Sequence, residues 1–325
     1  MSAISAIGAV TSHTVSQKRV KTTLSRAEWI LLGIAFATGI AAYLAAAARN
    51  QAVDWPGFLP AIGFNLELVL IGILIRRTRH LGRTAMCLIA LGLNGGFSAC
   101  SGIFIFTVLP FSNPMVDQQL MAADAVFGFS WLKSVTYLAQ YPIIAFALRF
   151  VYLSLIPQLL FVIIFLSFLK CEVALHRLLM VGFLSFTAMV GIWWLFPSVG
   201  PAAYGMVSEE VQNKVFLIAN AEYGEKMWRY ATLGNQVISV SKMAGVVAFP
   251  SMHIVLTTMV LWFTRGTYMF IPLLILNLAM PIATVLQGGH HIMDLLGGFF
   301  LFYFCLKLSN WILPDGSFAP TPIPE

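Results

Sequence analysis

Long apolar runs separated by short polar segments are the dominant pattern along this chain. A helix needs about 20 mainly apolar residues to cross roughly 30 Å of hydrocarbon. Eight spans are predicted from this pattern, at about 29–48, 58–75, 85–109, 143–169, 178–196, 253–264, 267–287 and 294–312. The sixth is short and is closed by Arg265-Gly266. The pattern therefore predicts an all-α polytopic membrane protein with about eight transmembrane helices.

The composition also indicates a membrane protein, and it does not favour a nucleic-acid partner. Hydrophobic residues make up 59% of the chain and charged residues only 10%, whereas soluble domains carry about 25% charged residues. The net charge of +6 does not predict nucleic-acid binding, because the basic residues cluster in short loops between the spans. The four cysteines form no Cys-x-x-Cys pair, so neither a disulfide framework nor a zinc site is expected.

The same pattern divides the chain into four segments. Residues 1–28 are polar and basic without an apolar core, which predicts a cytosolic tail and not a cleaved signal peptide. Residues 29–109 hold the first three spans, and residues 110–313 hold the others with two long polar segments. The first of these segments contains DQQLMAADAVFGFSW, a pattern suited to an amphipathic helix in the membrane interface. The Pro-rich residues 314–325 predict a disordered tail.

The distribution of lysine and arginine predicts the orientation of the spans. With the amino terminus in the cytosol, twelve of these residues fall on the cytosolic side and seven on the outer side, as the positive-inside rule requires. This topology brings His253, His290, His291 and Asp294 to the outer ends of consecutive spans. Ionisable residues at membrane spans are costly and tend to mark function. A site at the outer face is therefore predicted, although any one histidine alone would suit a side chain solvated by headgroups.

The segment VLQGGHHIMDLLGGFF contains the stronger half of this site. His290 and His291 precede Asp294 by four and three residues, spacings that share one face of a helix. A carboxylate that accepts a hydrogen bond from one imidazole nitrogen leaves the other lone pair free for attack. Spacing alone does not choose between the two histidines. The neighbouring pairs Gly288-Gly289 and Gly297-Gly298 predict turns and close helix packing.

The segment AFPSMH supplies the complementary half. Ser251 is placed to cap the span that follows, and free N–H groups at a helix N-terminus bind anions. His253 would then supply a proton, although plain capping by Ser251 is the structural alternative. A phosphate ester suits these parts, because one histidine can attack phosphorus while the second protonates the leaving oxygen. No metal or cofactor is expected, since HHxxD lacks the HExxH pattern and a second acidic ligand nearby.

These motifs, with FPSVGPAAY and GFSW, resemble the type 2 phosphatidic acid phosphatase superfamily over about residues 115–310. The resemblance is closest to the inositol phosphorylceramide synthase (inositolphosphotransferase) branch. It implies that the last five or six helices form a bundle with its site near one membrane face, acting on a lipid phosphate or phospholipid. It further implies that His290 is the nucleophile, Asp294 orients it, His253 is general acid and then base, and Ser251 contacts phosphate. The outer or periplasmic face of a plasma (inner) membrane is the expected location.

Some residues depart from the pattern of that superfamily. The basic motif Lys-x6-Arg-Pro is not found, Ala283 and Thr284 replace an expected Ser-Arg pair, and Met252 stands between Ser251 and His253. The phosphotransferase branch tolerates such losses. They leave the cationic partner of the phosphate unassigned, with Arg149 and Lys242 as candidates.

Two other functions are compatible with the same residues. A transporter could use the His/Asp cluster as a proton relay, but transporters usually place ionisable groups near mid-membrane and show repeat symmetry, and no repeat is found here. A related protein that has lost its activity is the third possibility. The residues do not distinguish hydrolysis from transfer, because water and an alcohol differ only in the second step, and they do not define the oligomeric state.

Overall fold

The computed structural model describes residues 24–78, 80–242 and 245–314, so most of the two predicted tails lies outside it. The helices of the described residues are α1 (Arg26–Ala48), α2 (Trp55–Ile75), α3 (Gly82–Thr107), α4 (Asp117–Val126), α5 (Trp131–Leu138), α6 (Pro142–Phe168), α7 (Glu172–Leu195), α8 (Glu209–Val215), α9 (Ala221–Leu233), α10 (Met252–Thr264), α11 (Phe270–Asn277), α12 (Met280–Gly288) and α13 (Ile292–Ile312). Two short strands, β1 (Ala52–Val53) and β2 (Val237–Ile238), pair in parallel. The predicted all-α class is confirmed.

Seven of the eight predicted spans are helices long and apolar enough to cross a membrane, with α11 and α12 counted as one span. They are α1, α2, α3, α6, α7, α11–α12 and α13. The predicted sixth span is α10, which has 13 residues. At 1.5 Å per residue α10 rises only about 20 Å, so it does not cross the hydrocarbon core by itself.

The helices pack as two groups that meet at α6 and α7. Helices α1 and α2 pack against α3, and α3 packs in turn on α6 and α7. Helix α10 lies among α6, α7 and α13. This arrangement surrounds the N-terminus of α10 with helices on several sides, and it is there that the candidate site forms.

A buried ion pair joins α1 to α2 at the opposite end of the bundle from that site. Ser25 and Glu28 form a capping box at the start of α1. The Glu28 carboxylate also accepts two hydrogen bonds from the Arg76 guanidinium, at 2.8 and 2.6 Å. His176 of α7 lies 3.5 Å from the same carboxylate. Three spans are thereby tied together at one point.

The two long polar segments fold into short helices. The first contains α4 and α5, and the second contains α8 and α9. Asp117 and Asp124 of α4 are buried. Helix α4 therefore turns its two aspartates towards the protein.

Candidate active site

The turn before α10 presents an unused hydroxyl at a helix N-terminus. Ser251 is the N-cap residue, but its side chain makes no capping hydrogen bond. Its backbone N–H donates to the Asp294 carbonyl oxygen at 2.9 Å, while its buried hydroxyl has no partner among the described residues. The first N–H groups of a helix also lack intrahelical acceptors. Plain capping therefore does not account for Ser251, and the turn carries donors that an anion could use.

His290 and Asp294 are in contact, but not for the reason that their spacing suggested. His290 Nδ1 lies 3.1 Å from Asp294 Oδ2, and both residues are buried. Helix α13 begins only at Ile292, so His290 lies in the preceding turn. Asp294, the third helical residue, reaches back and also accepts from the His291 N–H at 2.8 Å. Capping of α13 holds the pair together, in place of the shared helix face that was expected.

His253 completes the cluster from the first turn of α10. Its ring centroid is 5.8 Å from that of His290, with the rings at 68°. On its other side it stacks on Tyr152 of α6, with centroids 4.2 Å apart and 18° between planes. The structure thus brings His253, His290, Asp294 and the Ser251 turn together from two segments about forty residues apart in the chain.

Two glycines allow this close arrangement. Gly289 has a φ of +64°, in the left-handed region, at the C-terminus of α12. Gly298 of α13 faces the start of α10, and a Cβ there would clash with the Ser251 carbonyl oxygen and lie 3.2 Å from Ile254 Cβ. The predicted packing role of Gly297-Gly298 is therefore observed at this contact.

His291 occupies a different environment from its neighbour. Its Nδ1 lies 2.9 Å from Asp124 Oδ2, and its Nε2 lies 3.6 Å from Asp117 Oδ1. Burial alone would lower the pKa of His291, but Asp117, Asp294 and Asp124 together outweigh burial and raise it. Both ring nitrogens therefore face carboxylates. The expectation that no second acidic residue lies near these histidines is wrong.

Asp117 links this histidine to the FPSVG segment. Its carboxylate accepts from Ser198 Oγ at 2.8 Å and from the N–H groups of Val199 and Gly200 at 3.1 and 2.8 Å. Burial alone would raise the pKa of Asp117, but the contacts with His291, Ser198 and these N–H groups outweigh burial and lower it. Asp124 in turn accepts from the Ile292 N–H at 3.0 Å, at the start of α13.

Three residues that contact the site histidines were not predicted from the sequence: Asp117, Asp124 and Tyr152. The two aspartates are seven residues apart, two turns of one helix face, in a chain with only 13 acidic residues. That spacing could have indicated that both carboxylates contact the same site. Nothing in the sequence indicated Tyr152, because one tyrosine in a long apolar span has no distinguishing pattern.

Of the two candidate cations, only Arg149 has a described side chain. The Arg149 guanidinium donates to the Phe216 carbonyl oxygen, although Arg149 lies one turn before Tyr152 on α6. The Lys242 side chain lies outside the described part of the structure. Thr284, where the superfamily pattern has arginine, is buried with an unpaired hydroxyl. Within the described ranges, no group of three or more His, Cys, Asp or Glu side chains is arranged to hold a metal ion.

Fold and site together define an integral membrane protein of helical bundle type with a buried histidine–aspartate cluster at a helix N-terminus. Residues 118–308, more than half of the chain, match the model of the PAP2 superfamily. The chain belongs to the PAP2 superfamily, and this membership supports a phosphatase-type enzyme, a lipid phosphatase or phosphotransferase, acting on a lipid phosphate. Neither the curated proteins nor the solved structures compared with this chain gave a match. Helices α1–α3 lie outside the matched residues.

Proposed function

We propose that the protein transfers the phosphorus-containing group of a lipid phosphate or phosphodiester through a phosphohistidine at His290. The observation that carries this proposal is the contact of His290 Nδ1 with Asp294. A proton held on Nδ1 leaves the Nε2 lone pair available, and no described residue hydrogen-bonds to Nε2. His291 is the weaker candidate, because both of its nitrogens face carboxylates.

The reaction has two steps. In the first, His290 Nε2 attacks phosphorus, a P–N bond forms, the P–O bond to the leaving group breaks, and His253 gives a proton to the departing oxygen. In the second, His253 takes a proton from water or an alcohol, whose oxygen attacks phosphorus and displaces His290. The Ser251 hydroxyl and the free N–H groups of the first turn of α10 are the proposed donors to the phosphate oxygens.

The acceptor is proposed from the resemblance to the inositolphosphotransferase branch. That resemblance favours transfer to an alcohol, such as a sphingolipid hydroxyl, over hydrolysis. The positive-inside pattern favours a site on the outer or periplasmic face of a plasma (inner) membrane. The first step is the same for either acceptor and for either membrane face. The phosphohistidine can therefore be tested before the acceptor is known.

The test uses the purified full-length protein in nanodiscs. One arm offers ³²P-labelled phosphatidic acid and measures phosphate release and acid-labile labelling of the protein. The other offers phosphatidylinositol with ceramide or diacylglycerol and measures head-group transfer. We expect activity in at least one arm, its loss in His290→Ala together with the label, and full activity in the control His80→Ala, an exposed histidine between α2 and α3.

Retention of full turnover by both His290→Ala and His253→Ala would overturn the proposal. His290-dependent flux in proteoliposomes without phosphate release would support the transporter alternative instead. No turnover and no label in any arm would support a superfamily member that has lost its activity.

A further inference from the structure

A cavity of about 610 Å³ starts at the candidate site and extends between α3, α6, α7 and α10. His253, Tyr152 and Gly288 line the end at the site. Because Tyr152 stacks on His253, the cavity is continuous with the catalytic cluster proposed above. Any molecule in it would have one end beside the reacting phosphate.

Most of the wall of this cavity is apolar. It is formed mainly by aromatic, leucine and methionine side chains, among them Phe97, Phe106, Phe183, Leu159, Met189 and Met259. The lining includes no Asp, Glu, Lys or Arg side chain among the described residues. Such walls would leave most polar groups of a ligand unpaired, which is costly in an apolar medium. They suit a hydrocarbon chain.

The cavity reaches the lateral surface of the bundle between α3 and α6. Leu153 and Ile156 of α6 line it and are 52% and 56% exposed. Ser98, also exposed, lines it from α3. Since α3 and α6 are both long enough to span the membrane, these side chains lie on the surface that faces lipid. A chain can therefore enter from the bilayer without crossing water.

One wall of the cavity comes from outside the superfamily domain. Helix α3 contributes lining residues from Asn94 to Phe106, and all of α3 precedes residue 118, where the superfamily match begins. Twelve helical steps correspond to about 18 Å along the axis. The helices that precede the superfamily domain thus supply the side of the cavity along which a chain would lie.

We propose that this cavity binds one hydrocarbon chain of the lipid substrate, and that α3 determines which chain lengths are accepted. The inference rests on the proposed function only for the position of the phosphate at His290. A hydrocarbon chain that enters from the bilayer moves between two equally apolar environments. Selection among chain lengths in a membrane therefore depends on how well the chain packs in the cavity. A substrate dissolved in water gains the full hydrophobic effect, about 0.8 kcal/mol or fourfold per buried methylene.

The kinetic test compares monoalkyl phosphates of increasing chain length, below their micelle concentrations and at fixed detergent. Wild-type kcat/KM should rise with chain length until the cavity is filled, by at most about fourfold per methylene because detergent competes for the chain. Ser98→Trp places a large ring at the cavity rim, so it should lower kcat/KM for the longest chain by at least about tenfold. The loss should grow with chain length and be smallest for the shortest substrate. Ala99→Trp is the matched control, because Ala99 adjoins Ser98 but does not line the cavity.

A second measurement does not depend on turnover. A dialkyl phosphate lipid with a diazirine at the end of one chain is photolysed with wild-type protein, with Ser98→Trp and with His290→Ala. Labelling of α3 and α7 that Ser98→Trp suppresses and His290→Ala retains would support the inference. Labelling confined to other helices, or a chain-length profile that Ser98→Trp leaves unchanged, would overturn it. Absence of turnover with α3 labelling intact would overturn the proposed function alone.

Discussion

Replacement of Asp117 by alanine tests whether the carboxylates around His291 hold the site together. The change removes an acceptor for four donors, namely Ser198 Oγ, the N–H groups of Val199 and Gly200, and the Tyr204 hydroxyl. Hydrogen bonds to a charged group contribute about 1.5–3 kcal/mol each, but the losses do not add. Removing one partner of a buried ion pair costs about 3–5 kcal/mol. We therefore expect Asp117→Ala to lower the free energy of unfolding by about 3–5 kcal/mol.

The assay is reversible denaturation of the full chain in mixed micelles, followed by tryptophan fluorescence. The matched control is Glu210→Ala, which also removes one carboxylate from an ion pair, here with Lys214 at 2.7 Å. Both partners of that pair are exposed, so its loss should leave unfolding nearly unchanged. If Asp117→Ala were no less stable than Glu210→Ala, the assignment of a structural role to the buried carboxylate would be wrong.

The difference in stability between wild type and Asp117→Ala should also depend on pH. The pKa of Asp117 is lowered from 3.8, so its stabilisation is present above that value and is lost as pH falls through the folded pKa. The pKa of His291 is raised from 6.5, so its stabilisation is complete below that value and is lost as pH rises through the folded pKa. The stability difference between wild type and Asp117→Ala should be largest between these two values and smaller above pH 6.5. A difference that grows with pH above 6.5 would contradict the pairing.

Three further changes test other parts of the molecule. Glu28→Ala removes the buried carboxylate that Arg76 and His176 both contact, and should lower the free energy of unfolding by about 3–5 kcal/mol without changing KM. Gly298→Ala forces α13 away from the Ser251 carbonyl oxygen, so kcat in the lipid phosphate assay should fall at least about tenfold, or 1.4 kcal/mol. Arg149→Ala should raise KM by about tenfold if its guanidinium reaches the bound phosphate, the loss of one charge-assisted contact.

Each of these changes has a control within the chain. Glu210→Ala serves again for Glu28→Ala, and equal stability of the two variants would refute the buried pair. Gly33→Ala adds the same methyl in α1 where nothing lies within 4 Å, and an equal effect there would refute the packing argument. Arg149→Lys keeps the charge and should recover part of the lost affinity. An unchanged KM in Arg149→Ala would exclude that residue as the phosphate partner.

The course of the spans could be predicted from the sequence because it depends on hydrophobicity and length alone. Hydrocarbon requires continuous apolar helices, and that requirement is visible in the order of residues. Helix α10 shows where this reasoning stops, because its 13 residues are apolar enough for a span but too short for one. Its apolar character comes from burial among α6, α7 and α13, and burial in protein and exposure to lipid select the same residues.

The carboxylates around His291 could not be predicted in the same way. Asp117 and Asp124 meet His291 across more than 160 residues of sequence, and no local period connects the two segments. An exposed face was the simpler interpretation of charge on a short helix, since aspartates are rarely buried unless paired. Here they are paired, with a histidine and with backbone N–H groups.

These carboxylates give the two adjacent histidines different roles in the proposed mechanism. His291 has a carboxylate near each nitrogen, with Asp124 at 2.9 Å from Nδ1 and Asp117 at 3.6 Å from Nε2, so protonation of its ring stabilises the folded state. His290 has a carboxylate at Nδ1 alone and a second histidine 5.8 Å away. The His291 N–H meanwhile donates to Asp294, the same residue that orients His290. Fixing His291 therefore fixes Asp294 as well. For this reason loss of Asp117 should lower kcat more than it raises KM, although Asp117 contacts neither proposed catalytic histidine.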